Sequence, residues 1–155
     1  MKAREHQFRV VYVVTSKGED AYSNMALLSM ISVKLSNPKL QIVAVCDQES
    51  GDAIKAVRHR LLEVCDELIA VQVPDATAGF RNRWLKTSLP QYVKGKFLYL
   101  DNDTLVRGSL EELMELKGDI AAAPNHSGSG SPDEMPGTEM QVYASIGGIF
   151  RLITM

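Results

Sequence analysis

Cysteine is scarce: Cys46 and Cys65 are the only two in 155 residues, which excludes a disulfide-stapled scaffold. Neither lies in a Cys-x-x-Cys pair of the kind that holds zinc or runs redox chemistry. Each is flanked by hydrophobic residues and is expected as a buried, reduced thiol. The three histidines, His6, His59 and His126, have no spacing that would gather them on a metal ion and are expected at the surface. No apolar run reaches the roughly 20 residues that cross a bilayer. The start MKAREHQFR is too polar for a signal peptide, so the expected location is cytoplasmic. An excess of one charge is also missing. With 17 basic and 19 acidic residues the formal net charge is −2, which argues against a nucleic-acid binder that works by displacing counterions from many phosphates.

What is present is an ordinary globular balance, 45% hydrophobic and 23% charged, at a length that suits one domain over residues 1–155. The apolar, β-branched run from Phe8 to Thr15 predicts a strand covered on both faces. After the polar loop SKGED, the positions Tyr22, Met25, Ala26, Leu28, Ser29 and Ile31 follow helical spacing until Asn37-Pro38. The plan then repeats, with a strand from Leu40 to Cys46, a helix whose inner face carries Ile54, Val57, Leu61 and Val64, and a strand from Leu68 to Val73. A helix from about Phe80 to Leu89 and a strand from Lys96 to Leu100 follow. Thr104 to Val106 is expected to resume extended structure. Ser109 and Glu112 have the spacing of a capping box for a short helix. Further on, Ile120–Ala123 and Ile146–Ile153 are expected strands, and the Gly-, Ser- and Pro-rich stretch from Asn125 to about residue 140 is expected to be a mobile loop. Strands alternating with helices imply an α/β fold with a mostly parallel sheet. Ligands of such sheets gather beyond the carboxyl ends of the strands, where this chain places Thr15, Asp47 and the group Asp101-Asn102-Asp103.

The Asp-x-Asp pattern is cheap in a chain with nine aspartates, so its setting carries the weight. In FLYLDNDTLV both carboxylates directly follow a buried strand, where an ionised Asp requires a positive partner. Mg²⁺ and Mn²⁺ are such partners, since both take oxygen ligands from one or two carboxylates, phosphates and water. The alternative is a turn in which Asp101 and Asp103 accept backbone amides. Arg83 and Lys86 lie one helical turn apart and project from one side of their helix. They offer either cations to an anionic ligand or a solvated helix face, whereas Arg81 is expected as plain surface. Asp47 is read equally as a ligand contact or as a cap for the next loop.

The stretch RNRWLKTSLPQYVKGKFLYLDNDTLV, Arg81 to Val106, resembles the segment of GT-A fold glycosyltransferases, especially glycosyltransferase family 8, in which a basic helix precedes a strand ending in the DxD motif. The opening VVTSKGEDAYSNMALLSMISV is similar to that family's first strand, nucleotide-contacting loop and first helix, including Asp-Ala-Tyr at 20–22. The resemblance implies a GT-A, Rossmann-like nucleotide-diphosphosugar transferase fold and transfer of a glycosyl group, with retained configuration, from a UDP-sugar to an unknown acceptor. It implies that Asp101 and Asp103 bind Mn²⁺ or Mg²⁺, that Asp101 and Asn102 approach the ribose, and that Thr15 and Tyr22 lie against the base. It also places the family's basic residue at Arg83, with Lys86 as the nearby alternative.

Departures from the family are equally legible. The resemblance implies that the carboxyl-terminal part, with a third metal ligand and the acceptor pocket, is missing. Ile146 stands where an Asn is expected. Two other readings therefore stay open: an inactive nucleotide-sugar-binding or assembly module, and a phosphotransfer or receiver domain whose acidic cluster binds Mg²⁺. An incomplete sheet edge makes a homo-oligomer an expected partner arrangement.

Overall fold

A computed structural model describes residues 8–116 and the backbone of 153–154. They divide between two compact units, Met1–Gly108 with Leu152–Met155, and Ser109–Arg151. The expected strands at 120–123 and 146–152, the loop at 125–140, His6 and His126 lie outside the described residues.

The first unit is built on four parallel strands, β1 (Arg9–Val13), β2 (Gln41–Asp47), β3 (Glu67–Val71) and β4 (Phe97–Tyr99), in the order β3-β2-β1-β4. Val10 to Val14 and Ile42 to Cys46 are all at most 1% exposed, which is why these runs read as continuous apolar stretches and do not alternate. The pleat sends their side chains to two different helices. Val11, Val13, Val43 and Val45 meet Leu85, Leu89 and Val93 from the segment of α4 (Ala78–Tyr92). On the opposite face Tyr12 reaches α1 (Ala21–Ser36), where its hydroxyl lies 2.7 Å from Ser29 Oγ. That burial drives the Tyr12 phenol well above its usual range, against the lowering effect of the Ser29 bond.

The inner face of α1 is Ser23, Ala26, Ser29, Met30 and Val33. Ala26 and Ser29 are inward as expected, but Tyr22 and Leu28 are 61% and 53% exposed, because the buried stripe runs through Ser23, a polar position that a hydrophobicity count overlooks. The helix expected across Ile54 to Val64 is two, α2 (Gln48–Ala56) and α3 (Leu61–Val64). Arg58 between them has φ +50°, a left-handed conformation no helix continues through, and Val57 is left 48% exposed. α4 starts two residues earlier than expected and runs past Leu89 through Pro90 to Tyr92, since a proline this near the end forfeits a single helical hydrogen bond.

β5 (Thr104–Leu105) pairs antiparallel with β6 (Ile153–Thr154). In the second unit α5 (Glu111–Met114) has Leu110 at its cap position with no side-chain cap bond. Ser109 Oγ accepts the Glu111 amide at 3.1 Å, one residue short of Glu112, so the expected capping box is not formed. Among the described residues no helix is long and apolar enough to cross a membrane.

Candidate nucleotide and metal site

Strand order positions the site. The chain crosses from β1 outward to β2 and β3, then returns to lay β4 on the other side of β1. Connections on the two sides of β1 therefore leave in opposite directions and open a crevice at the carboxyl ends of β1 and β4. A cavity of about 590 Å³ occupies that place, within the range of small-ligand pockets. Thr15, Tyr22, Arg83, Lys86, Asp101, Asn102 and Asp103 all line it.

The first wall is the β1–α1 loop. Gly18, at φ +113°, turns it where a Cβ would approach the Ala53 carbonyl oxygen to 3.2 Å. Asp20 then caps α1, its Oδ1 accepting the Tyr22 and Ser23 amides at 3.0 Å each and its Oδ2 the Lys17 amide at 2.8 Å. Desolvation pushes the Asp20 carboxyl up, but the amides of Lys17, Ser23 and Tyr22 and the Ser16 hydroxyl outweigh it and hold the group below its ordinary value. With Asp20 so engaged, Tyr22 stands in the first turn with its ring open to the cavity rather than packed on the core.

The second wall is α4, which contributes Ala78, Gly79, Asn82, Arg83 and Lys86. Asn82 was not anticipated from sequence. It donates from Nδ2 to Thr15 Oγ1 at 3.2 Å, and its position four residues before Lys86 is the one signal that marks it.

The floor is the turn after β4. Thr104 donates its amide to the Asp101 carbonyl at 3.1 Å, and Asn102 Nδ2 donates to the Val13 carbonyl at 3.1 Å, tying the two strand ends together. Asn102 Oδ1 is buried with no hydrogen-bond partner. The Asp101 carboxylate does not accept a backbone amide as the alternative turn requires: its Oδ1 accepts from Lys86 Nζ at 2.7 Å and from the Tyr99 hydroxyl at 2.5 Å. The ammonium also lies 5.5 Å from the Tyr99 ring centroid, a cation–π distance. The positive partner that an Asp at this rim requires is therefore supplied within the chain. Partial burial works to raise the Asp101 carboxyl, but the Lys86 and Tyr99 bonds and the Lys86 charge hold it below the usual range. Tyr99 is pushed the other way, by burial first and then by its bond to Asp101 and the charges of Asp101 and Asp103, so it stays a proton donor.

The fit to a divalent ion is that of a partial site. No group of three or more metal-ligating side chains occurs among the described residues. Two carboxylates on one turn are a hard-oxygen pair, and both donors fall on Oδ1 of Asp101. That set suits Mg²⁺ or Mn²⁺ when substrate phosphates and water supply the remaining ligands.

Asp47, Arg81 and His59 fall elsewhere. Asp47, 1% exposed, caps α2 by accepting the Ser50 amide at 2.7 Å, which settles its structural role, and it lines a separate cavity of about 220 Å³. Arg81 is not plain surface. Its side chain is 20% exposed, with Nε 3.5 Å from Asp47 Oδ2, and it is also ion-paired with Glu49. His59 is only 6% exposed; its Nδ1 accepts the Leu61 amide at 3.1 Å and its Nε2 lies 3.3 Å from Asn24 Oδ1, so it organises the start of α3. Cys46 is buried and Cys65 half-buried, both free. Burial first, then nearby carboxylates, push them up to about 12 and about 11.

No family model matches the chain. No curated protein matches it either. Solved structures do. The crystal structure of the glycosyltransferase GlyE from Streptococcus pneumoniae TIGR4 matches with a TM-score of 0.56 at 26% identity, over 80% of this chain and 31% of that one. Its apo form gives 0.55 at 27% identity, over 81% and 32%. The chain thus spans about a third of the length of these structures. Its parallel four-stranded sheet with flanking helices is an α/β fold of glycosyltransferase type.

Proposed function

We propose that this chain is the donor-binding part of a glycosyltransferase of family 8 type, which grips a UDP-sugar through Mn²⁺ or Mg²⁺ held by Asp101 and Asp103 and passes the glycosyl group, with retained configuration, to an acceptor. One observation carries the reading: the two separated segments that resemble this family line a single cavity at the switch point of the sheet. Likeness to a glycosyltransferase structure over most of the chain supports it. In this reading Tyr22 offers a flat face to the base, Thr15 is oriented beside it by Asn82, and Arg83 and Lys86 attract the diphosphate. The bound ion would act as a Lewis acid toward the departing diphosphate. Arg83 supplies further positive charge where negative charge develops. No side chain in the cavity is assigned as a nucleophile.

The test is calorimetric titration of UDP, GDP and ADP with and without Mn²⁺. UDP is expected to bind most tightly, and only with the ion. Failure of every nucleoside diphosphate to bind would overturn the reading. Hydrolysis of UDP-sugars then separates two outcomes, since binding without turnover assigns a nucleotide-sugar-binding module in place of a transferase.

A further inference from the structure

We infer that Lys86 is an internal counter-ion that occupies the metal-binding carboxylate until a nucleoside diphosphate arrives, so that metal and nucleotide bind as a coupled pair. The inference rests on the proposed metal role of Asp101 and adds an order of events to it. The observation is a three-way contact. Lys86 Nζ lies 2.7 Å from Asp101 Oδ1, the Tyr99 hydroxyl lies 2.5 Å from the same oxygen, and the ammonium sits over the Tyr99 ring at 5.5 Å. An ammonium in hydrogen-bond contact with a carboxylate oxygen repels a dication seeking that carboxylate, and it has already neutralised the charge that would attract one.

The arrangement is held but not locked. The Asp101 side chain is 55% exposed and that of Lys86 37%, so water can replace each partner and the pair separates easily. Both residues line the same cavity. A diphosphate entering it brings anionic oxygens to which the flexible lysine stem can swing its charge. The carboxylate is then released to the metal, and the phosphates complete the ion's ligand set. The two ligands relieve each other's obstacle. By thermodynamic reciprocity, whatever the nucleotide adds to metal affinity the metal adds to nucleotide affinity.

The residue's role can be separated from simple attraction of phosphate. Removing a lysine that only attracts phosphate would leave the affinity for Mn²⁺ alone unchanged. Removing a counter-ion raises it. The experiment follows free Mn²⁺ by electron paramagnetic resonance during titration of the whole chain, with and without UDP, for wild type, Lys86→Met, Lys86→Gln and Lys86→Arg. In the absence of nucleotide, Lys86→Met and Lys86→Gln are expected to bind Mn²⁺ about 5- to 10-fold more tightly than wild type, a coupling of ordinary allosteric size. UDP should enhance Mn²⁺ binding less in both than in wild type, and Lys86→Arg should behave as wild type. If neither neutral variant binds Mn²⁺ alone more tightly than wild type, including the case where no protein binds it measurably, while wild type binds Mn²⁺ with UDP, the counter-ion role is overturned and the nucleotide site stands. If wild type binds no Mn²⁺ even with UDP, the metal site itself is wrong and this inference falls with it.

Discussion

Single side chains at the rim act without supporting the core, so function and stability separate there. Asp103 follows β4 and lines the cavity. Asp103→Ala is expected to lower Mn²⁺-dependent UDP affinity by about two orders of magnitude, about 3 kcal/mol, with an unchanged melting temperature. Unaltered UDP affinity in the folded variant refutes its role as a ligand. In the proposed reading Arg83 contributes differently, through its charge alone. Arg83→Ala should weaken UDP-sugar binding several-fold at low ionic strength and much less at about 1 M salt, where screening acts within roughly 3 Å. Equal losses at both salt concentrations would mean packing and not electrostatics.

At the scale of elements, the capping of α1 links stability to the site. Asp20 accepts three backbone amides, and the Asp20 amide donates to Ser23 Oγ at 3.0 Å, closing a capping box with serine in its third position. Asp20→Ala should cost about 1 kcal/mol of unfolding free energy, measured by urea denaturation at neutral pH. It should also loosen Tyr22, in the first turn, and so weaken UDP binding. An undiminished stability would show that solvent caps the helix equally well. α2 is held closely too: a Cβ on Gly51 would come within 3.0 Å of Ala70 Cβ and 3.1 Å of Cys46 Sγ, so this helix lies tight against the sheet and its N-cap Asp47 is sealed beneath it.

Across the first unit, one carboxylate joins three elements. Asp66 Oδ2 accepts from Lys34 Nζ of α1 and from the Ile42 amide of β2, each at 2.7 Å, just before β3 begins. Lys34 Nζ also donates to the Leu40 carbonyl at 2.9 Å. Desolvation pushes the Asp66 carboxyl up, yet the Lys34 and Ile42 bonds and the Lys34 charge prevail and lower it. A carboxyl lowered on folding stabilises the native state fully above its unfolded value, near pH 4, and the contribution disappears as pH falls through the native value. Asp66→Asn should therefore destabilise by about 1 kcal/mol at pH 7, allowing for solvent screening of this half-exposed pair. The gap should be smaller at an acid pH below the unfolded value of about 4 and vanish once pH falls below the native value. A gap of equal size in urea titrations at both pH values would exclude the ionised carboxylate as its source.

The amino-acid order by itself determined the alternation of strands and helices in the first unit and the place of the Asp101–Asp103 turn at a strand's carboxyl end. Those are local matters: a run such as Val10–Val14 is apolar at every position, and a strand ends where polar residues begin. Sequence also singled out the candidate residues of two distant segments, through a family resemblance rather than through periodicity, and the fold brings them to one cavity. Only the tertiary structure decided what they touch. Lys86, rather than a backbone amide, faces Asp101 because α4 packs across β1 and β2 while β4 returns beside β1. Arg81 meets Asp47 for the same reason, and His59 is buried where α1 brings Asn24 Oδ1 within 3.3 Å of its ring. Spacing along the chain fixes which side of an element a residue occupies, but the partner on that side is set by packing between elements far apart in sequence, and so are its charge balance and solvent exposure.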